Sequence, residues 1–158
     1  MRRSDKEVTE LPEILTIMKK CAVCRVAFID GDFPYIVPLN FGVEELDGKI
    51  SLFFHSALQG KKLDLLNANN KVAFEMDCAT KIYIGEIACD SNMAYKSVCG
   101  RGTITVLKKE EKSSALTKIM EQYQAGKAAV FDAERLEKTV VLKLAVSEVT
   151  AKSSYKTH

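Results

Sequence analysis

Apolar residues recur first with a helical period and then with the alternating or continuous patterns of strands. Between Glu10 and Cys21, the residues Ile14, Ile17, Met18 and Cys21 form one stripe, so this segment is expected to be a helix. Thr9 is placed to cap it, Pro12 falls in the first turn where a missing N–H is harmless, and Lys19-Lys20 suit the negative end of the dipole. Cys24–Ile29 then reads as a strand, Asp30-Gly31-Asp32 as a turn, and Tyr35–Val43 as a second strand containing Pro38. A proline removes one ladder donor, which implies an edge, a bulge, or a place where something other than a strand faces the backbone. Asp47-Gly48 is a hairpin cue, so Tyr35–Val43 is expected to pair antiparallel with Lys49–His55. That pairing would bring Pro38–Asn40 and the Phe54-His55 end onto one sheet.

Further along, Gly60–Ala68 reads as a short helix with Leu63, Leu65 and Leu66 apolar, ended by Asn67–Asn70. Strands are expected at Val72–Asp77, Ile82–Cys89 and Tyr95–Val106, the last carrying Gly100-Arg101-Gly102, a bulge or bend of the kind that closing a barrel requires. Lys109–Gln124 has the helical period, with Ala115, Leu116, Ile119, Met120 and Tyr123 inward, and Thr139–Val149 is a final strand. Six or seven strands linked by short turns, with three helices, favour an antiparallel barrel with peripheral helices over a doubly wound sheet. One domain over residues 1–158 is expected, with 151–158 a flexible tail.

Composition narrows the class. A chain of 158 residues, 47% hydrophobic and 28% charged, can bury about two-thirds of its unfolded surface in one core. No apolar run approaches the roughly 18 residues of a membrane span. Met1-Arg2-Arg3 leads into Ser4, Asp5, Lys6 and Glu7 rather than an apolar leader, so a cytoplasmic protein without a membrane partner is expected. The 23 basic and 21 acidic residues are interspersed, which argues against nucleic-acid binding. Lys108–Lys112 is a mixed-sign run suited to a solvated helix start.

The five cysteines, at 21, 24, 78, 89 and 99, are expected to be reduced thiols. Cys21 and Cys24 have the C-x-x-C spacing, but no second close pair completes a zinc site, and a thiol at a helix C-terminus lacks the dipole that stabilises a thiolate. Cys78, Cys89 and Cys99 fall on apolar strands. The expected role of all five is that of small buried hydrophobes, with no metal bound.

Candidate chemistry concentrates in Pro34–Lys62, where a strand ends in His55-Ser56 and a helix begins at Gly60-Lys61-Lys62. Free helix N–H groups and lysine ammoniums both attract an anion, and lysines at that end of a helix are unfavourable unless one binds. The pattern is no P-loop, since position 55 is His and no Ser or Thr follows the lysine. Gly100-Arg101-Gly102 lacks the third glycine of a dinucleotide fingerprint, and no G-x-S-x-G accompanies His55.

The segments PYIVPLNFG, FHSA-x-x-GKK-x-DLL, Phe74-Glu75 and Tyr95-x-Ser97-Val98-x-Gly100-x-Gly102 resemble the pyridoxamine 5′-phosphate oxidase-related split-barrel flavoproteins. Within these, Met1-Arg2-Arg3-Ser4-Asp5 and Cys21-x-x-Cys24-Arg25-Val26-Ala27 are similar to the 5-nitroimidazole reductase, or nitroimidazole-resistance, group. The resemblance implies a flavin-reductase-like split barrel that binds FMN and works as a homodimer with flavin at the subunit interface. Val37, Pro38, Leu39 and Asn40 would border the flavin ring. Phe54, His55, Ser56 and Ala57 would line its ribityl and phosphate end, with Lys61 and Lys62 neutralising the phosphate, and Tyr95 and Ser97 would come from the partner subunit. NAD(P)H would be the electron donor and a nitroaromatic or related small molecule the acceptor, with no side chain needed as nucleophile. FAD in place of FMN, a haem held by His55, and a flavin-binding module without turnover are the alternatives.

Overall fold

The computed structural model describes residues 3–124, 126 and 128–155. Its strands are β1 (Glu7–Val8), β2 (Cys24–Asp30), β3 (Phe33–Leu39), β4 (Gly42–Leu46), β5 (Lys49–Ala57), β6 (Lys71–Tyr83), β7 (Asn92–Val106) and β8 (Thr139–Ser153). Four helices accompany them: α1 (Leu11–Lys20), α2 (Lys61–Ala68), α3 (Lys109–Tyr123) and α4 (Ala133–Glu137). Every strand pair is antiparallel, in the order β3-β2-β6-β7-β8-β5-β4, with β1 on β8. β3 and β4 end this path without pairing, so the barrel is split. Among the described residues, no helix is long and apolar enough to cross a membrane.

Alternation sends Val26 and Phe28 of β2, Leu52 and Phe54 of β5, and Leu142 and Leu144 of β8 into one core, where Ile14, Ile17 and Met18 of α1 join them. The opposite faces of β5 and β8 carry an apolar pair of their own. Phe53 and Val141 pack there under Leu107 and the α3 residues Ala115 and Ile119. Covering both faces explains why ISLFF is a nearly continuous apolar run rather than an alternating one.

The end of α3 fastens two distant segments. Gln122 Nε2 donates to the carbonyls of Met18, Lys19 and Cys21 at 3.0–3.2 Å, closing the end of α1. Tyr123 Oη accepts from the Phe41 N–H at 3.0 Å and donates to Ala22 O at 2.9 Å. Gly42 makes this approach possible, because a Cβ there would sit 2.5 Å from the Lys118 carbonyl carbon.

Several expectations are corrected. Tyr35–Val43 is two strands, and β3 pairs with β2 rather than with β5; only Gly42–Leu46 forms the Asp47-Gly48 hairpin with β5. Asn40 and Phe41 break the run because Phe41 turns into the core and gives its N–H to Tyr123. Pro38 accordingly lies on an edge strand, one of the outcomes its presence implied. Val72–Asp77 and the start of Ile82–Cys89 belong to one strand, β6, whose register shifts between Cys78 and Lys81; beyond Tyr83 the chain leaves the sheet, and Ala88–Asp90 is a 3₁₀ turn.

At the first helix, Thr9 does not cap α1, whose N-cap is Glu10; the Thr9 hydroxyl donates to the Glu10 carboxylate at 3.4 Å instead. Of the residues expected inward on α3, Ala115 and Ile119 are buried, whereas Tyr123 is exposed and acts through its hydroxyl. Cys89 and Cys99 are exposed rather than buried. The expected tail is strand through Ser153, because Ala151 is buried opposite Val98 and Ser154 is bonded to Tyr95. Residues 156–158 of that tail, and the Met1-Arg2 opening, lie outside the described residues. The bend expected at Gly100–Gly102 is present as a register shift at Arg101 and Gly102. A Cβ on Gly102 would meet Ala145 O at 2.0 Å.

Candidate functional site

Past the β4 partner Gly42, the last four residues of β5, Phe54–Ala57, keep one ladder with β8 and, among the described residues, have no strand on their other edge. Their side chains divide by alternation. Phe54 and Ser56 are buried, whereas His55 and Ala57 are exposed on the opposite face. The expected grouping of His55 with Ser56 is therefore split between two faces of one strand. The Ser56 hydroxyl has no hydrogen-bond partner among the described residues. An orphaned buried hydroxyl costs about 1–3 kcal/mol, so it marks a place where a ligand oxygen or a water is wanted.

Gly60, at φ 143°, turns the chain into α2, whose first turn has no side-chain cap. A groove of about 770 Å³ opens there, lined by Leu58, Gly60, Leu63, Asp64, Val106 and Val140. Val140 is the register partner of Ser56. The two lysines at the helix start have different surroundings. Lys61 Nζ lies 2.5 Å from Asp30 Oδ2 and 5.0 Å from the centre of the Tyr35 ring, and its hydrogen bond to Asp30 raises its pKa. Lys62 is half-buried and makes no ion pair with a described residue. Lys61 thus ties α2 to the β2–β3 hairpin, and Lys62 has no such tie among the described residues.

That tether sets the Tyr35 end of β3 against the start of α2. From Tyr35, under Lys61, to Leu39 the edge strand runs about 13 Å with its outer edge unpaired by any strand among the described residues. Val37 and Leu39 pack against the core, whereas Pro38 and Asn40 face outward and are exposed. Pro38 is opposite Arg25, which pairs with Glu75 at 3.0 Å and Asp77 at 2.7 Å. An unpaired backbone edge therefore leads from an uncapped, lysine-bearing helix start to a proline-containing strand end.

Tyr95 and Ser97 lie elsewhere. Ser97 is opposite Lys152, and Ser56 is opposite Val140, so roughly 40 Å of β8 contour separates them. Tyr95 is held by Ser154, whose Oγ accepts its N–H at 2.6 Å. Within one chain, neither joins the β5–α2 end.

Asp30, Tyr35 and Arg25 escaped the reading of the sequence, because each acts through a partner distant along the chain. A local signal did exist for another feature. FPYIVPL is apolar at both parities; the outward side leaves Ile29 51% and Ile36 58% exposed, and Phe33, at the hairpin end, is 79% exposed. A groove of about 390 Å³, lined by Ala27, Ile29, Phe33, Pro34, Ala73 and Arg101, adjoins them. Among the described residues, no three His, Cys, Asp or Glu side chains converge as a metal site.

Solved structures share this architecture. A Bacteroides thetaiotaomicron protein named for 5-nitroimidazole antibiotic resistance superposes with a TM-score of 0.80 at 28% identity, over 93% of this chain and 86% of its own. A FAD and haem binding protein of Mycobacterium smegmatis gives 0.82 at 19% identity, over 96% and 74%. The flavocytochrome Anf3 of Azotobacter vinelandii gives 0.80 at 16% identity, over 99% and 72%. No curated protein matches the chain. The sequence itself matches a family profile, that of pyridoxamine 5′-phosphate oxidase, across residues 10–153, nearly all of the barrel and its helices. This chain, with its split barrel and open β3 edge, therefore belongs to the pyridoxamine 5′-phosphate oxidase family.

Proposed function

We propose that this protein is a flavin-dependent oxidoreductase that holds FMN along the β3 edge, takes electrons from NAD(P)H and passes them to a nitroaromatic or related small acceptor. The observations that carry the reading are three unfilled features: the edge of β3, unpaired among the described residues, the uncapped start of α2 with Lys62, and the orphaned Ser56 hydroxyl, whose register partner Val140 lines the groove at α2. The first suits the polar rim of a flat ring, and the other two suit a phosphate. Bound FMN would supply the electron transfer between nicotinamide and acceptor, with no side chain needed as nucleophile. The family membership and the names of the B. thetaiotaomicron and M. smegmatis relatives support it.

In this reading the chain binds and orients. The first N–H groups of α2 and the Lys62 ammonium hold the phosphate, and Ser56 donates to it. Lys61, already occupied by Asp30, positions β3 rather than contacting the anion. Backbone groups of Val37–Asn40 meet the ring, with Pro38 removing a donor that would otherwise need a partner. Phe54 sits behind the phosphate end as core, and His55 and Ala57, on the exposed face, contact the cofactor only if the partner subunit brings them to it. The exposed Ile29, Phe33 and Ile36 support a homodimer across this side, and Tyr95 and Ser97, which do not join the site within one chain, would reach the ring only from the partner subunit.

An absorbance scan of the purified protein, with mass spectrometry of the released cofactor, tests this reading. Flavin bands, an FMN mass, and NAD(P)H oxidation once a nitroaromatic is added are expected. A Soret band lost on His55→Ala would replace the proposal with haem binding. A yellow protein inert to every nicotinamide and acceptor pair would reduce it to a binding module.

A further inference from the structure

Spacing in the sequence sets Cys21 beside Cys24, but the fold sets it beside Cys78. Cys21 Sγ donates to Ile17 O at 3.3 Å, and Cys78 Sγ reaches the same oxygen at 3.8 Å. Two sulfurs converging on one carbonyl oxygen are close neighbours. Burial, and after it the adjacent Cys78 thiol, raise the pKa of Cys21. Cys24 is also buried, and its charged neighbours are Glu75 and Arg25.

The two positions matter mechanically. Cys21 closes α1, while Cys78 is the last residue of β6 in register before the shift to Lys81. Ala79 follows at φ 56°, an uncommon conformation for a residue with a Cβ. Beyond it β6 and β7 project as an arm whose Ile82, Ile84, Ile87 and Met93 are exposed.

We propose that Cys21 and Cys78 are a peroxide-reactive dithiol that closes reversibly to a disulfide, tying the end of α1 to the root of the β6–β7 arm. Cys78 is partly exposed and Cys21 is buried, so a peroxide meets Cys78 first. The Cys78 sulfur attacks one peroxide oxygen and the O–O bond breaks. The departing hydroxide takes the thiol proton and leaves as water, and Cys78 is a sulfenic acid. Cys21 then attacks the Cys78 sulfur, the S–O bond breaks, and a second water leaves carrying the Cys21 proton. One peroxide is reduced to two waters while two thiols become one disulfide. The raised pKa of Cys21 keeps its thiolate scarce and slows the second step. The buried position of Cys21 favours the disulfide over further oxidation, since its sulfur is already at hand. The proposal rests on the thiols alone and is independent of any flavin.

The test treats the full, fully reduced chain with one equivalent of hydrogen peroxide. The intact mass is expected to fall by two hydrogens and to return with dithiothreitol. A tryptic map without reductant should join residues 21–25 to residues 72–81. Because residues 21–25 contain both Cys21 and Cys24, fragment sequencing of the wild-type crosslink assigns the sulfur without any variant. Cys24→Ala should retain the crosslink, whereas Cys21→Ser and Cys78→Ser should abolish it. The proposal is overturned by a crosslink through Cys24, a Cys89–Cys99 pair, sulfinic acid at Cys78 without a crosslink, or an unchanged mass.

Discussion

The β5–β8 ladder and the β2–β3 hairpin are built from similarly apolar sequence, yet the first is covered on both faces and the second on one. Leu52, Phe54, Leu142 and Leu144 fill the barrel while Phe53 and Val141 lie under α3. In the hairpin, Val26 and Phe28 fill the barrel, but Ile29 and Ile36 face outward without a described cover, and Phe33 is exposed at the hairpin end. A strand apolar at both parities requires two covers, and for β2–β3 this chain provides one. The closed flank is where the fold is stabilised. The open flank, with its unpaired edge, is where we propose that ligand and partner are accepted.

The largest contrast should come from truncating equivalent positions on the two flanks. Phe54→Ala, at a side chain with no exposure, should cost about 3–5 kcal/mol in denaturant unfolding, whereas Ile36→Ala should stay within about 0.5 kcal/mol. Similar losses at both sites would mean that the outer face of β3 is covered after all. For the closed flank, Gly42→Ala should destabilise by about 1–3 kcal/mol, because the α3 backbone cannot recede from a new Cβ without pulling Tyr123 from Phe41.

On the open flank the two lysines should separate. Lys62→Ala should weaken FMN retention by about 1.5–3 kcal/mol, the range of a hydrogen bond to a charged group. Lys61→Ala should act less, its ammonium being engaged by Asp30; equal effects would place both on the phosphate. Ser56→Ala should move two quantities in opposite directions. The cofactor-free protein should gain up to about 1 kcal/mol, since an orphaned hydroxyl is removed, while FMN is held more weakly. A loss in both would show that Ser56 is satisfied within the fold.

Much of the closed flank was legible in the sequence, because its signals are local. Asp47-Gly48 forms the expected tight turn with both residues at positive φ, and Gly100-Arg101-Gly102 marks the bend. What was illegible is what joins segments far apart in the chain. Nothing within Tyr35–Val43 reveals that its first half pairs with β2 or that Phe41 donates to Tyr123. Lys61 was read correctly as a cation at a helix start, but Asp30, its partner, lies a whole hairpin and strand earlier. Likewise, the C-x-x-C spacing drew attention to Cys24, when the barrel sets Cys78 beside Cys21.

The smallest expected effect concerns pH. Its hydrogen bond to Arg3 lowers the Asp5 pKa from 3.8 to about 2. A depressed carboxylate contributes stability above its unfolded value, so the contribution should disappear as pH falls from about 4 toward 2. This pair is exposed and lies on neither flank, so Asp5→Asn should flatten the acid limb of a stability profile slightly and leave FMN affinity alone.

The central claim is that the start of α2 grips a phosphate while the β3 edge receives a ring. Binding of FMN and of riboflavin, measured by fluorescence on cofactor-free wild-type protein and on Lys62→Ala, separates those two roles. The expected result is a roughly ten- to hundredfold preference of the wild type for FMN, largely lost in the variant while riboflavin affinity is unchanged. Equal affinity of the wild type for the two flavins, or failure to bind either, would contradict it.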